Sequence, residues 1–167
     1  AIGELGSIEL DRVRSVSEVR NGYSYFEDGD VAFAKVTPCF ENGKGAVMHG
    51  LELGAGFGTS ELTVLRPKRR TDARFLDYVV RSEQFRQHGA GAMTGAGGLK
   101  RVPDDFTRNF EMPWPAPDVQ NRIANFLDEQ TARIDALIAE KERLQASLDE
   151  WRAAELTRIC FGGIDAA

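Results

Sequence analysis

The chain has 167 residues, with 21 basic groups against 26 acidic, for a formal net charge of −5. That length allows one core plus an appendage, and the acidic balance argues against a generic nucleic-acid coat protein. No window approaches the roughly 18 consecutive apolar residues of a membrane span, and the opening Ala1-Ile2-Gly3-Glu4 lacks the basic region and apolar core of a signal peptide. Cys39 and Cys160 lie far apart, form no CxxC, and cannot complete a zinc set with His49 and His88 at known spacings. Two reduced thiols, a cytoplasmic location and no bound metal are expected.

In chain order, Ile8, Leu10, Val13 and Val16 suggest extended segments without a firm period, and Glu27-Asp28-Gly29-Asp30 reads as a turn. Val31–Val36 predicts a strand, apolar on both faces and so buried on both, stopped by Pro38. Asn42-Gly43 is the dipeptide of a tight hairpin turn, with Gly45–Met48 as the return strand. Gly54–Gly58 predicts a glycine-rich loop leading into a strand over Ser60–Leu65. Thr71 is expected to cap one helix from Asp72 to about Gln87, ended by Gly89. Gly89–Gly98 is too glycine-rich for a core and reads as a loop. Leu99–Val102 predicts a short strand, and Asp104–Phe106 one helical turn.

Pro113-Trp114-Pro115-Ala116-Pro117 predicts an extended hinge, because proline fixes φ and disfavours a helical residue before it. Pro117 suits a first helical turn. From Asp118 to about Phe161 there is neither Gly nor Pro, which predicts one helix roughly 65 Å long. Leu127, Gln130, Ile134, Leu137, Lys141, Leu144, Leu148 and Trp151 alternate in steps of three and four, as a coiled-coil seam does. Gln130 and Lys141 are its polar members and candidates to set register. The fold class expected is α+β: a small mixed domain over 1–112, a hinge at 113–117, a pairing helix at 118–161 and a tail at 162–167.

Enzymatic readings fail on spacing. A phosphate-binding loop ending at Gly43-Lys44 would need glycine where Pro38 stands and a hydroxyl where Gly45 stands. Gly89/Gly91 and Gly95/Gly97 meet Thr94 and Lys100 where GxGxxG needs its third glycine. No Asp/Asn-Pro-Pro-Tyr/Phe run of an adenine methyltransferase is present. Glu111-Met112-Pro113 lacks the lysine of a nuclease motif, and neither histidine has an obvious nucleophile partner. No catalytic residue and no cofactor is expected. Charge is unevenly spread: Arg66, Lys68, Arg69, Arg70 and Arg74 cluster, and a local basic patch on an acidic protein can hold phosphates.

The run Gly29-Asp30-Val31 with Phe33–Lys44 resembles a signature of target recognition domains in type I restriction–modification specificity subunits. So do Gly58–Glu61 with Val64–Pro67, and the hinge-to-helix run Pro115-Ala116-Pro117, Gln120, Ile123-Ala124, Phe126–Asp128, Thr131 and Ile134–Ile138. The resemblance covers about residues 28–161. It implies a domain that reads a few bases of one half of a bipartite double-stranded DNA target. It also implies a spacer helix that pairs with a second such helix and docks methyltransferase subunits, with catalysis left to those and to the restriction/translocase subunits. Family subunits usually carry two recognition domains and two helices, and a longer segment before the Gly-Asp turn. This chain then reads as a half subunit, pairing as a homodimer, or as a piece lacking the start of its domain. Val119 stands where the family commonly has Glu. Expected DNA contacts are Lys35, Thr37, Asn42 and Lys44 at the hairpin, Thr94, Lys100 and Arg101 at the glycine loop, and Arg66, Lys68, Arg69 and Arg70 on phosphates. The alternative reading is a coiled-coil interaction module that does not read DNA.

Overall fold

The computed structural model of the chain describes residues 2–3, 6–10 and 13–162. The chain divides into two compact units, Ala1–Ala124 and Asn125–Ala167. The class is α+β, as the sequence predicts: small antiparallel sheets and short helices, then one long helix.

The first unit is built around strand β2 (Val31–Ala34), every residue of which is buried. It pairs antiparallel with β3 (Gly45–Val47) on one side and β5 (Leu62–Leu65) on the other. A central strand with apolar residues on both faces needs cover on both, and it has it. Val31 and Phe33 join Phe40, Val80, Phe85 and Val102 in one core. Ala32 joins Phe26, Ala46, Met48 and Leu51 in a second. Phe85 is the hub of the first, with its ring centroid 5.6 Å from Phe33, 5.2 Å from Phe106 and 4.9 Å from Phe110.

Several elements differ from expectation. Residues 16–19 form a short helix, α1 (Val16–Val19), with Val19 buried, and the extended expectation missed it and strand β1 (Tyr23–Glu27). The predicted glycine loop is a strand, β4 (Ala55–Thr59), paired with β1. The Phe26 ring lies where a Cβ at Gly56 would stand, and the Leu62 side chain where one at Gly58 would, so these glycines serve a close approach. Asn42-Gly43 is not a two-residue hairpin turn. The link from β2 to β3 runs from Lys35 to Lys44, and Gly43, at φ +69°, closes its end with Gly43 N donating to Phe40 O.

The single helix expected over 72–87 is two, α2 (Ala73–Arg81) and α3 (Glu83–Ala92). Ser82 breaks it at ψ 149° and then caps α3, its hydroxyl accepting from Phe85 N. The cap of α2 is Asp72, not Thr71: its carboxylate accepts from Arg74 N and Phe75 N. Gly89 does not end the helix. It sits inside α3 with the Phe40 ring against it. The later part of the predicted loop is a hairpin, β6 (Thr94–Ala96) with β7 (Leu99–Arg101), followed by α4 (Asp104–Asn109).

Helix α5 (Pro117–Phe161, 45 residues) begins at the expected proline. Its first turns belong to the first unit and are held there by Gln120, whose exposure is 0%. Gln120 Oε1 accepts from Asp72 N at 3.0 Å, while Nε2 donates to Pro115 O at 2.8 Å and, more weakly, to Arg70 O at 3.4 Å. Asn121 Nδ2 donates to Asp72 Oδ2 at 3.1 Å. Ala124, also fully buried, completes the seat. In the second unit the helix carries its own i,i+3 and i,i+4 pairs, Arg158–Glu155 and Arg133–Glu129. Of the seam, Leu127 and Gln130 are half-buried, while Ile134, Leu137, Lys141, Leu144, Leu148 and Trp151 are exposed. Among the described residues no helix is long and apolar enough to cross a membrane. Of the predicted tail at 162–167, only Gly162 is described.

Gln120→Ala removes both halves of this seat and leaves Asp72 N–H and Pro115 O unsatisfied. It should lower the stability of the first unit by about 1–3 kcal/mol, measured by urea unfolding.

Candidate nucleic-acid interface

The strand register sorts the candidate residues into two groups. Val31 pairs with Leu65 and Ala34 with Leu62, so residues just before β2 meet those just after β5, and the reverse at the other end. Asp30 and Lys35 are five positions apart, roughly 16 Å on an extended chain.

At the Lys35 end, backbone bonds hold the β6–β7 hairpin against the outgoing chain. Lys35 N donates to Glu61 O, Thr37 N to Lys100 O, and Val102 N to Lys35 O, with an isolated bridge between Val36 and Arg101. Thr94 faces Arg101 across the hairpin. The register therefore places Lys35, Thr37, Thr94, Lys100 and Arg101 on one edge. Lys44 lies on the β3 side of the same end, its carbonyl accepting from Ala34 N.

Two carboxylates pair with cations of this cluster. Arg101 makes a two-pronged pair with Glu61, Nε to Oε2 at 2.7 Å and Nη2 to Oε1 at 2.6 Å. Lys35 Nζ lies 3.9 Å from Asp104 Oδ1. The Arg101 guanidinium holds the Glu61 carboxyl below the usual range, so Glu61 is fully charged at neutral pH. Lys100 is exposed, with no carboxylate partner among the described residues. Thr37 Oγ1 donates to Glu41 Oε1 at 2.9 Å, and Asn42 is exposed in the loop. The hairpin itself is exposed along its length, with Gly97 and Gly98 at positive φ in its turn.

At the other end stands Asp30, 2% exposed. Its carboxylate accepts from Arg66 Nε at 2.9 Å, from Arg66 Nη2 at 2.8 Å and from Glu27 N at 2.8 Å. Arg66 also lies 3.3 Å from Glu27 Oε2. The fork of Arg66 is thus spent within the fold. Lys68, Arg69 and Arg70 follow on an exposed turn, closed by Thr71 N donating to Lys68 O.

No family model matches the chain. Two curated proteins of Escherichia coli do. The chain is 41% identical over 112 residues, 66% of its length, to the type I restriction enzyme EcoEI specificity subunit. It is 42% identical over 119 residues, 71% of its length, to the EcoAI specificity subunit. The chain is a relative of type I restriction specificity subunits. It spans about a fifth of the length of these relatives, 19% and 20%.

Within this specificity-subunit relative, the residues named from sequence do not form one surface. Lys35, Thr37, Thr94, Lys100 and Arg101 are brought together, whereas Arg66 and Lys68–Arg70 lie at the far end of β5. Sequence reading missed the carboxylates. Glu61 meets Lys35 and Arg101 only through strand pairing, 26 and 40 positions away, so no local pattern points to it. Asp30 carried a clue, since an acid between a turn and a wholly apolar strand is destined for burial and needs a cation.

The Asp30 carboxyl is held below its usual range by the Arg66 hydrogen bonds first, aided by the Glu27 backbone and opposed by burial. A depressed folded-state value means that this group stabilises fully above its unfolded value near pH 4, and that the contribution fades as pH falls further towards the folded value. Asp30→Asn should lower the midpoint of thermal unfolding at pH 7. The difference between variant and wild type should shrink as pH is lowered below about 4, measured by circular dichroism melts.

Proposed function

We propose that this chain is a DNA-reading component of a type I restriction–modification complex. Residues 1–112 form the recognition domain, 113–117 the hinge and 118–161 the spacer helix. The observation that carries the reading is the identity of 41–42% to two specificity subunits across two thirds of the chain. Supporting it are an exposed cation-bearing hairpin and a long helix whose seam is exposed from Ile134 to Trp151. Methylation and cleavage belong to methyltransferase and restriction/translocase subunits, which this chain serves without catalysis or cofactor of its own, in the cytoplasm.

The β6–β7 hairpin with Lys35 and Thr37 reads base edges, with Lys and Arg suited to guanine and Thr94 adaptable. Asn42 suits adenine from the loop beside it, with Lys44 near. Because Arg66 is bound to Asp30, the phosphate role falls to Lys68, Arg69 and Arg70. These contacts position the domain without carrying sequence information.

The test is enrichment of a random double-stranded DNA library on the purified full chain, alone and with methyltransferase subunits. A short fixed base pattern is expected, and recovery of no pattern in either setting would refute the reading. Lys100→Ala with Arg101→Ala should relax preference at particular positions while leaving others intact. An unchanged pattern would remove the hairpin from base reading.

The seam Leu127, Gln130, Ile134, Leu137, Lys141, Leu144, Leu148 and Trp151 pairs two copies of the helix. Half of the Leu144 surface, 52%, is open in the single chain. Light scattering at micromolar concentration should give a dimer. Leu144→Glu should give a monomer whose first unit remains folded, since a charge buried in the seam is costly.

A further inference from the structure

We infer that Glu61 is a specificity-determining residue, which withholds Arg101 from the phosphates of non-cognate DNA. The inference rests on the DNA-reading function proposed above and concerns what one pair of side chains does within it. Glu61 and Arg101 make a two-pronged contact at 2.6 and 2.7 Å. Such a pair has an obvious structural role, as a latch for the β6–β7 hairpin. Yet the hairpin is already fastened by its backbone: Thr37 N donates to Lys100 O at 2.9 Å and Val102 N to Lys35 O at 2.8 Å. The pair is also wet, with side-chain exposures of 46% for Arg101 and 33% for Glu61. Exposure to solvent screens such a pair and lowers its contribution to stability, even with two-pronged geometry.

What the pair does change is the field at the hairpin. Lys35, Lys100 and Arg101 supply three positive charges at this edge, and Glu61 and Asp104 return two negative ones. A phosphate approaching Arg101 must displace Glu61 and leave a carboxylate facing the DNA backbone. Phosphate contacts are the same on every sequence, so they raise non-specific affinity as much as specific affinity. Arg101 opposite a guanine edge recovers a two-pronged contact of the same kind that it gives up, and Glu61 can then accept from the amino group of a paired cytosine. A phosphate offers Glu61 nothing in return. The carboxylate thus penalises contact with the backbone more than contact with a matching base pair.

The experiment is fluorescence anisotropy of the full chain with a labelled random-sequence 30-base-pair duplex, titrated from 50 to 200 mM NaCl. Three proteins are compared: wild type, Glu61→Gln, and Glu61→Gln with Arg101→Gln. Glu61→Gln should bind several-fold more tightly at low salt, and its log–log salt slope should steepen by about 0.9, the value of one added phosphate contact. The double variant, which removes the guanidinium that Glu61→Gln sets free, should lose the gain in affinity and the added slope of Glu61→Gln. No gain in Glu61→Gln overturns the inference, and so does a gain that survives in the double variant. If Glu61→Gln does not fold, the double variant decides alone: affinity below wild type would mean that Arg101 reaches phosphates despite Glu61. These failures leave DNA reading intact, whereas absence of binding by all three proteins overturns the inference together with the function on which it rests.

Discussion

Strand β2 is buried on both faces, and that constraint organises the first unit. Four consecutive apolar residues, Val31 to Ala34, have no face to give to water. Each face therefore requires its own cover: α2, α3 and α4 with the Phe85 cluster on one side, β1 and the Met48 cluster on the other. Both edges of β2 are also taken, by β3 and β5. A strand so enclosed cannot slip register, because a shift of one residue would exchange Val31 and Phe33 with Ala32 and Ala34 between two differently sized cores. The fixed register sets what stands at the ends of the strand. Asp30 is driven into contact with Arg66, and Lys35 emerges beside Glu61 and the β6–β7 hairpin.

The same logic accounts for the polar groups that the fold does bury. Asp30, Asp77 and Gln120 are buried amid apolar cores. Asp30 has a guanidinium fork and a backbone N–H, and Asp77 has Arg81 at 2.7 Å one helical turn away. Gln120 is neutral, and its amide supplies one acceptor and two donors, which is what the junction offers: a free N–H at the cap of α2, and carbonyls at Pro115 and Arg70. A carboxylate there would face those carbonyls with no proton to give, and an apolar residue would leave all three groups unmet. Asp72 is drawn into the same seat. Burial raises its carboxyl, but bonds from Arg74, Phe75 and Asn121 outweigh this and keep it below its usual range.

What the sequence made legible follows from how local each signal is. The long helix, its proline start and its seam are local in period, and Pro117–Phe161 matches the expected span. β2 was legible because an apolar run that short, flanked by a turn and a proline, fits a buried strand. The failures share one cause. Gly54–Gly58 reads as a loop by composition, and only the Phe26 ring, 30 positions away from Gly56, makes glycine the residue that a strand needs there. Asn42-Gly43 has a hairpin signature, but Phe40 is pulled into the Phe85 core and the chain must run a longer way round. Ser82 was not read as a break because neither glycine nor proline interrupts residues 73–87, although Phe85 falls five positions after Val80, off the spacing of one helical face. The Ser82 hydroxyl closes one helix and caps the next.

The charge of the chain bears directly on the proposed DNA reading. A net charge of −5 suits a protein with no business on DNA, yet affinity for a polyanion depends on the few groups that meet it. At the hairpin edge, Lys35 and Arg101 are in contact with carboxylates, while Lys100, among the described residues, is not. A reader of sequence has reason to be built this way. Unopposed lysines and arginines hold every duplex equally, and a genome presents vastly more wrong sites than right ones. On the proposed reading, carboxylates lodged among the cations lower the common term and leave the difference between base pairs to decide. An acidic chain with Lys35 and Arg101 paired to carboxylates at one edge therefore suits the proposed discrimination between DNA sequences better than indiscriminate binding to the backbone.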